Sequence, residues 1–401
     1  MGRRCIFVIL LITLIPPGLL IVATGHTSEP DPVLAIGERT GLFSKVLEEQ
    51  REVWIYLPEG YEKSQESYPV FYLLDGNLHF HHATGIVEVL SKFAHIPKMI
   101  VVAVVNVDRE RDFLPTRMDN WPPNPAADKF RAFLKTELIP WVDKQYRTHP
   151  FRILCGHSFG GVFCAHTFLK DPQLFTAFIA ISPALEWDDR LMMKMAEGVF
   201  KTTAYDHRFL FLAVSPDDEG AVPASRDFAG LLKKYSPPGL TWRTDFMAEE
   251  DHLSIVHPVI YNALKWIHRG WRLSETQMKE MTLKEVLDHY EKLSVRYGSR
   301  VPVPEGVFFN LGYAFMDKKD WPGAREAFEA NIKYYPDQPS GYVGLGEAYE
   351  EEGQLELARK NFEKGLALAK KNNDTMIIPV AKNLLERILK KKPKNNRSSL
   401  K

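Results

Sequence analysis

The sequence predicts an α/β domain built on a central, mostly parallel sheet, followed by an all-α region of helical repeats. Three observations predict it. Apolar, strand-like runs alternate with amphipathic helical stretches from Tyr68 to Arg269. A Gly-x-Ser-x-Gly turn, Gly156-His157-Ser158-Phe159-Gly160, joins one such run to a helix start. Beyond residue 300, small and aromatic positions recur at an offset of 34 residues.

The chain has 401 residues, room for two or three domains. Its hydrophobic fraction of 45% and charged fraction of 25% are those of an ordinary globular protein. The formal net charge is zero, which argues against a nucleic-acid binder working by bulk charge. Residues 393–401 form a basic tail, read as disordered and solvated. Three cysteines cannot make a disulfide framework. Cys155 and Cys164 flank the serine and read as small buried residues, and Cys5 falls in the N-terminal apolar run. Residues 1–25 have the pattern of a signal peptide: Arg3 and Arg4, an apolar stretch from Ile6 to Val22, then Ala23-Thr24-Gly25. They predict an exported protein, periplasmic or secreted. An uncleaved leader is the alternative, and the one route to a membrane. Residues 26–40 read as a polar linker.

The α/β domain is assigned to 41–271. Ser44 to Pro58 alternates like a strand. Tyr68 to Leu74 and Met99 to Val105 are continuous apolar runs, as in strands buried on both faces of a parallel sheet. Gly85 to Ala94 reads as a helix, Val107 to Ala127 as a long polar loop, and Ala127 to Tyr146 as an amphipathic helix. After the elbow, Phe178 to Ser182, Arg208 to Val214 and Leu240 to Met247 are the later strands. Pro258 to Arg269 is the closing helix.

The spacing of the elbow has a chemical reason. A serine nucleophile must stand clear of the sheet, so the chain bends tightly about Ser158, and flanking glycines give it room. The Phe159 amide, at the helix start, is placed to face a developing oxyanion. A second oxyanion donor would be the amide of Gly76 or Asn77; the sequence leaves the two open. Ser158 also needs a base and a carboxylate to orient that base. Asp218, after the strand ending at Val214, and His252, after the last strand, meet the order Ser, Asp, His. Asp217 and Glu219 compete with Asp218, and His257 competes with His252. Arg109 and Arg111, on the long loop, could bind an anionic part of a substrate; an Arg–Asp112 pair fixing the loop is the plainer reading. Trp121, on that loop, and His157, beside the serine, are further candidates for substrate contact. His79, His81 and His82 crowd one stretch, but no carboxylate lies at ligand spacing, so no metal site is expected. No cofactor is expected either.

Residues 272–300 read as a helical connector and 301–392 as repeats. Leu311, Gly312, Ala314 and Phe315 recur as Leu345, Gly346, Ala348 and Tyr349. Ala324, Arg325, Phe328 and Glu329 recur as Ala358, Arg359, Phe362 and Glu363. The offset is the tetratricopeptide period, Pro336 takes the closing-proline place, and Thr375 to Lys391 would cap the array. Two repeats are few for an independent solenoid, so this region is expected to pack on the α/β domain through Ser274 to Arg296.

Five motifs occur in a fixed order: Tyr68-Pro-Val-Phe-Tyr-Leu-Leu-Asp-Gly76; Asn106-Val-Asp-Arg-Glu-Arg-Asp112 with Pro115-Thr116; Glu137-Leu-Ile-Pro140 with Tyr146-Arg147; Gly156-His-Ser-Phe-Gly-Gly161; and Asp251-His252. Together they resemble the putative-esterase family, which is similar to esterase D and the ferric-siderophore esterases. The resemblance runs from Gly41 to Gly270. It implies an α/β-hydrolase fold, with Ser158 as nucleophile, His252 as general base and Asp218 as orienting acid. Some bacterial members look alike in carrying tetratricopeptide repeats behind the hydrolase. One departure stands out: the family's acid usually follows a Gly-x-x sequence, and here that stretch is Ser215-Pro216-Asp217. The siderophore esterases also carry an extra N-terminal domain, for which this chain has no room before Gly41; that weakens a siderophore reading.

The expected function is an exported serine carboxylic-ester hydrolase that acts on small-molecule esters through an acyl-enzyme. One rival is a thioesterase or acyltransferase using the same three residues. The other is an inactive hydrolase scaffold that binds a protein partner through its helical repeats.

Overall fold

The computed structural model describes residues 35–298 and 300–390. The leader, Cys5, most of the linker and the basic tail lie outside the described residues. The apolar runs become strands β1 (Glu38–Ser44), β2 (Glu49–Tyr56), β3 (Tyr68–Leu73), β4 (Ile100–Val104), β5 (Thr148–His157), β6 (Ala177–Ile181), β7 (Arg208–Val214) and β8 (Leu240–Phe246). They pair in the order β1-β2-β4-β3-β5-β6-β7-β8. The β1–β2 and β2–β4 pairings are antiparallel and the others parallel. β1 starts at Glu38, inside the stretch expected as linker; it lies at the sheet edge and is largely exposed, so it has no apolar run to mark it. β4 and β6 are buried at every position, as strands covered on both faces must be.

Between the strands run α1 (Gly76–Lys92), a short α2 (Arg109–Phe113), α3 (Ala127–Phe133), α4 (Ile139–Gln145), α5 (Phe159–Lys170), α6 (Trp187–Val199) and α7 (Ala221–Tyr235). A π-helical turn, Leu134–Leu138, joins α3 to α4, and α8 (Val256–Ile267) closes the domain. α1 begins directly after β3, at Gly76 rather than Gly85. Side chains alternate across the sheet. Phe71 and Ile153 pack with Phe80 of α1 and Ile260 of α8, whereas Tyr72 and Leu154 pack with Phe130 of α3, Phe163 of α5 and Phe228 of α7.

The long loop after β4 is pinned by a buried ion network. Arg51, on β2 and 1% exposed, donates to Asp112 Oδ2 and Glu49 Oε1, both at 2.7 Å, and lies over the Phe130 ring. Arg111 donates to Glu49 Oε1 (2.6 Å) and Asp112 Oδ1 (2.8 Å). Burial pushes the Asp112 carboxyl up against the pull of both guanidiniums. Asp112→Ala would take from buried Arg51 its one fully buried carboxylate partner, leaving Glu49, and is expected to cost about 3–5 kcal/mol in urea unfolding. A loss below about 1 kcal/mol would contradict the network's role.

Two other buried groups set a pH dependence. Burial holds His268 at about 3 and His166 at about 4, against 6.5 for a free imidazole. Both stay neutral in the fold, while the unfolded chain takes up their protons below about 6.5. Their contribution to stability is therefore complete above pH 6.5 and is lost as the pH falls toward about 4 for His166 and about 3 for His268. Urea midpoints should be lower at pH 5 than at pH 7, and His268→Phe should flatten that fall. An unchanged slope in the variant would contradict this account.

The stretch Ser274 to Arg296 forms two helices, α9 (Glu275–Glu280) and α10 (Leu283–Tyr297), rather than one. Each opens with a capping box, Ser274 with Gln277 and Thr282 with Glu285. α10 packs on the α/β domain: Val286, Tyr290 and Tyr297 share a core with Phe151, Phe209 and Ile267. The Tyr290 hydroxyl donates to the Trp271 carbonyl at 2.9 Å. Two helix pairs follow, α11 (Glu305–Asp317) with α12 (Trp321–Tyr334) and α13 (Pro339–Glu351) with α14 (Leu355–Lys371), then α15 (Ile377–Lys390). α13 repeats the bounds of α11 at the offset seen in the sequence. A Cβ on Gly312 would meet the Phe328 ring at 2.5 Å, and one on Gly346 would meet the Phe362 ring at 2.5 Å. The recurring Gly and Phe positions are one close helix–helix contact used twice.

Candidate active site

The loops after β5, β7 and β8 carry the candidate residues, and neighbouring parallel strands bring those loops to one edge of the sheet. β5 ends at His157, and Ser158 turns the chain at φ 57° and ψ −118° before α5 starts. That backbone is strained for a residue with a Cβ. Two bonds hold it: the Ser158 amide donates to the Ile181 carbonyl at 2.8 Å, and the Val162 amide donates to the Ser158 carbonyl at 2.9 Å. Gly156 permits the turn because a Cβ there would lie 2.3 Å from the Gly160 carbonyl oxygen. Phe159 opens α5, and Gly76 and Asn77 open α1. All three amides therefore sit in first turns, where no carbonyl of the same helix accepts them.

Asp218 Oδ1 accepts a hydrogen bond from His252 Nδ1 at 2.5 Å. In the neutral ring this places the proton on Nδ1 and leaves Nε2 as the basic nitrogen. Asp217 instead accepts from the Ser215 hydroxyl and, at 3.4 Å, from the His252 amide. Glu219 is exposed. Asp251 shapes the histidine loop: its Oδ1 accepts the Ser254 and Leu253 amides at 2.7 and 2.8 Å, and these bonds hold its carboxyl below the usual range. His257 faces His82 instead, with ring centroids 5.4 Å apart.

Beneath the elbow lies a charge pair that the sequence reading missed. Asp75, buried and at φ 53°, accepts from Arg109 Nε (2.6 Å), Arg109 Nη2 (3.1 Å) and Asn106 Nδ2 (2.6 Å). Arg109 Nη2 also donates to the His157 carbonyl at 3.0 Å. The available signal was an acid at the end of one apolar run with Asn106 and Arg109 just past the next.

Several candidates for substrate contact are placed elsewhere. Arg109 and Arg111 are both paired with carboxylates of the protein, and the Arg111–Asp112 pair is the one the plainer reading expected. His157 is 7% exposed and donates Nε2–H to the His252 carbonyl at 2.7 Å, so its ring is turned to the histidine loop. Burial is the main cause holding it neutral, at about 4. Trp121, 43% exposed, does reach the site: it forms an aromatic wall with Phe159 and Trp187, at centroid distances of 5.6 and 5.7 Å. His79 Nδ1 and His82 Nε2 share a hydrogen bond of 3.1 Å, and burial lowers both rings. His81 is exposed. Among the described residues no group of three or more His, Cys, Asp or Glu could hold a metal ion. A hydroxyl on a strained turn, helix-start amides and a carboxylate-held imidazole can together support nucleophilic acyl transfer.

Residues 44–223 match the family model described as "Putative esterase". The chain is 25% identical over 226 residues to the ferri-bacillibactin esterase BesA of Bacillus subtilis (strain 168), covering 50% of this chain and 78% of that one. These matches support the esterase family. Among solved structures, the chain is similar to an IroE-like serine hydrolase from Shewanella oneidensis, with 28% identity, a TM-score of 0.67, and coverage of 75% of this chain and 99% of that one. An uncharacterised protein from Capnocytophaga ochracea shares the fold over 88% of this chain and 99% of its own, at 16% identity and a TM-score of 0.64.

Proposed function

We propose that the chain is a serine esterase that cleaves carboxylic esters through an acyl-enzyme on Ser158. The observation that carries this reading is the 2.5 Å bond between His252 and Asp218, on a loop that His157 ties to the elbow. Ser158 Oγ attacks the ester carbonyl, and its proton passes to His252 Nε2. Asp218 holds Nδ1–H and stabilises the imidazolium. The amides of Phe159 and of Gly76 or Asn77 receive the oxyanion. His252 returns the proton to the departing alcohol, then takes one from the attacking water and passes it to Ser158 Oγ as the acyl–oxygen bond breaks and the acid leaves.

The wall of Trp121, Phe159 and Trp187 suits an aromatic or bulky apolar group on the ester. The relative named a ferri-bacillibactin esterase makes siderophore-type esters the first natural substrates to test. It is matched over 78% of its length, so the argument from an extra N-terminal domain carries little weight against that class. Export through residues 1–25 belongs to the same reading, as does a tetratricopeptide assignment for α11 to α14 with a protein partner on those helices. The mass of the mature secreted protein tests the first, and capture of a partner lost on deleting 301–390 tests the second.

The direct test is hydrolysis of aryl esters of short and aromatic acids, then of siderophore lactones, by the wild type and Ser158→Ala. Turnover that the substitution removes supports the reading. Turnover of no ester, or full turnover by the variant, contradicts it.

A further inference from the structure

We infer that His157 is a positioning residue that sets the reach of His252 to Ser158. The inference rests on the serine-esterase reading above. His157 closes β5 and immediately precedes Ser158. Its two polar ends are held by different parts of the protein. The carbonyl accepts Arg109 Nη2 at 3.0 Å, and Arg109 is itself fixed to Asp75 at 2.6 Å. The ring donates Nε2–H to the His252 carbonyl at 2.7 Å, with the two ring centroids 4.6 Å apart. The His79 ring packs behind it at 6.0 Å. One side chain therefore ties the histidine loop to the residue next to the nucleophile, and that residue is anchored in turn to the end of β3.

The loop needs such a tie. Asp251, Leu253 and Ser254 are exposed, Leu253 at 76%, so apolar burial does not hold this segment against the elbow. Asp218 orients the His252 ring through Nδ1, but it does so from the loop after β7. The Ser215 hydroxyl on the Glu250 carbonyl (2.9 Å) and buried Ile255 also hold the loop, and His157 is the tie that reaches it from the elbow side. A general base works only within hydrogen-bond reach of the proton it takes, and a displacement of about 1 Å costs about a hundredfold in rate. A donor on residue 157 fixes the His252–Ser158 separation from the serine's own neighbour. The donor must also be uncharged: a cation 4.6 Å away would oppose the imidazolium that forms on His252. Buried and paired as it is, the His157 ring meets that requirement.

The test compares wild type, His157→Gln, His157→Leu and His157→Met in steady-state hydrolysis of one aryl ester, with fluorophosphonate labelling rates and melting temperatures. Glutamine places an amide N–H near the lost Nε2–H; leucine and methionine fill the space without a donor. The expected result is a fall in kcat of about ten- to a hundredfold in H157L and H157M, with KM within about twofold, because the residue does not face substrate. H157Q should recover most of kcat, and labelling rates should follow kcat. Should H157L fail to fold, H157M against H157Q makes the same comparison. Equal activity in all the proteins, or an equal loss in H157Q and H157M, overturns the inference and leaves the esterase reading standing. A wild type that neither turns over ester nor takes the phosphonate overturns both.

Discussion

Replacing Ser158 by alanine is expected to lower kcat for ester hydrolysis by on the order of 10⁴- to 10⁶-fold. The residue is not needed for the fold. Its contacts in the turn are made by its backbone amide and carbonyl, which alanine retains. The melting temperature of Ser158→Ala should therefore stay within about 2 °C of wild type. Ser158→Gly gives a second signature. Glycine adopts φ 57°, ψ −118° without the penalty a Cβ brings, so this variant should be as inactive as alanine and melt no lower. Retained turnover in either variant would remove Ser158 from the chemistry.

Asp218→Asn is expected to lower kcat by about 10³- to 10⁴-fold. An amide at that place can present N–H to His252 Nδ1. The ring then carries its proton on Nε2, where the base needs a lone pair. The neighbouring acids should matter far less. Asp217 reaches His252 only through its amide, at 3.4 Å, so Asp217→Asn should cost at most about tenfold. Glu219 is exposed, and Glu219→Gln should leave kcat unchanged within about twofold. One ester and three variants decide the matter; a crippled Asp217 or Glu219 variant beside an active Asp218→Asn would reassign the orienting acid.

Much of this arrangement is legible in the sequence because the chemistry falls at the ends of apolar runs. Ser158 and Asp218 each follow a strand with a buried apolar run, His252 follows the partly exposed edge strand β8, and parallel pairing carries those ends to one edge. What is not legible has physical causes. The Asp75–Arg109–His157 tie joins three segments by side-chain geometry, and no local pattern marks an ion pair between residues 34 apart in the chain. α6 is broken near its start by three successive left-handed residues, Asp188, Asp189 and Arg190, and only beyond them do buried Met192 and Ala196 take up helical spacing. The start of α1 is masked by three histidines, although Phe80, Ala83, Val87 and Leu90 keep helical spacing and are buried. The division of Ser274 to Arg296 into two helices was readable, since Thr282 and Glu285 form a second capping box inside the stretch. The repeat in the last third was legible for a steric reason: glycine is the residue that lets Phe328 and Phe362 lie against the facing helix.

The central claim is that Ser158 is activated by His252, and intact-mass analysis after exposure to a fluorophosphonate tests it most directly. The reagent reacts with a serine whose hydroxyl is deprotonated by an adjacent base. The account predicts one adduct per chain, mapped by peptide sequencing to Ser158 and lost in His252→Ala. A folded wild type that stays unmodified, or an adduct that forms equally fast in His252→Ala, would contradict it.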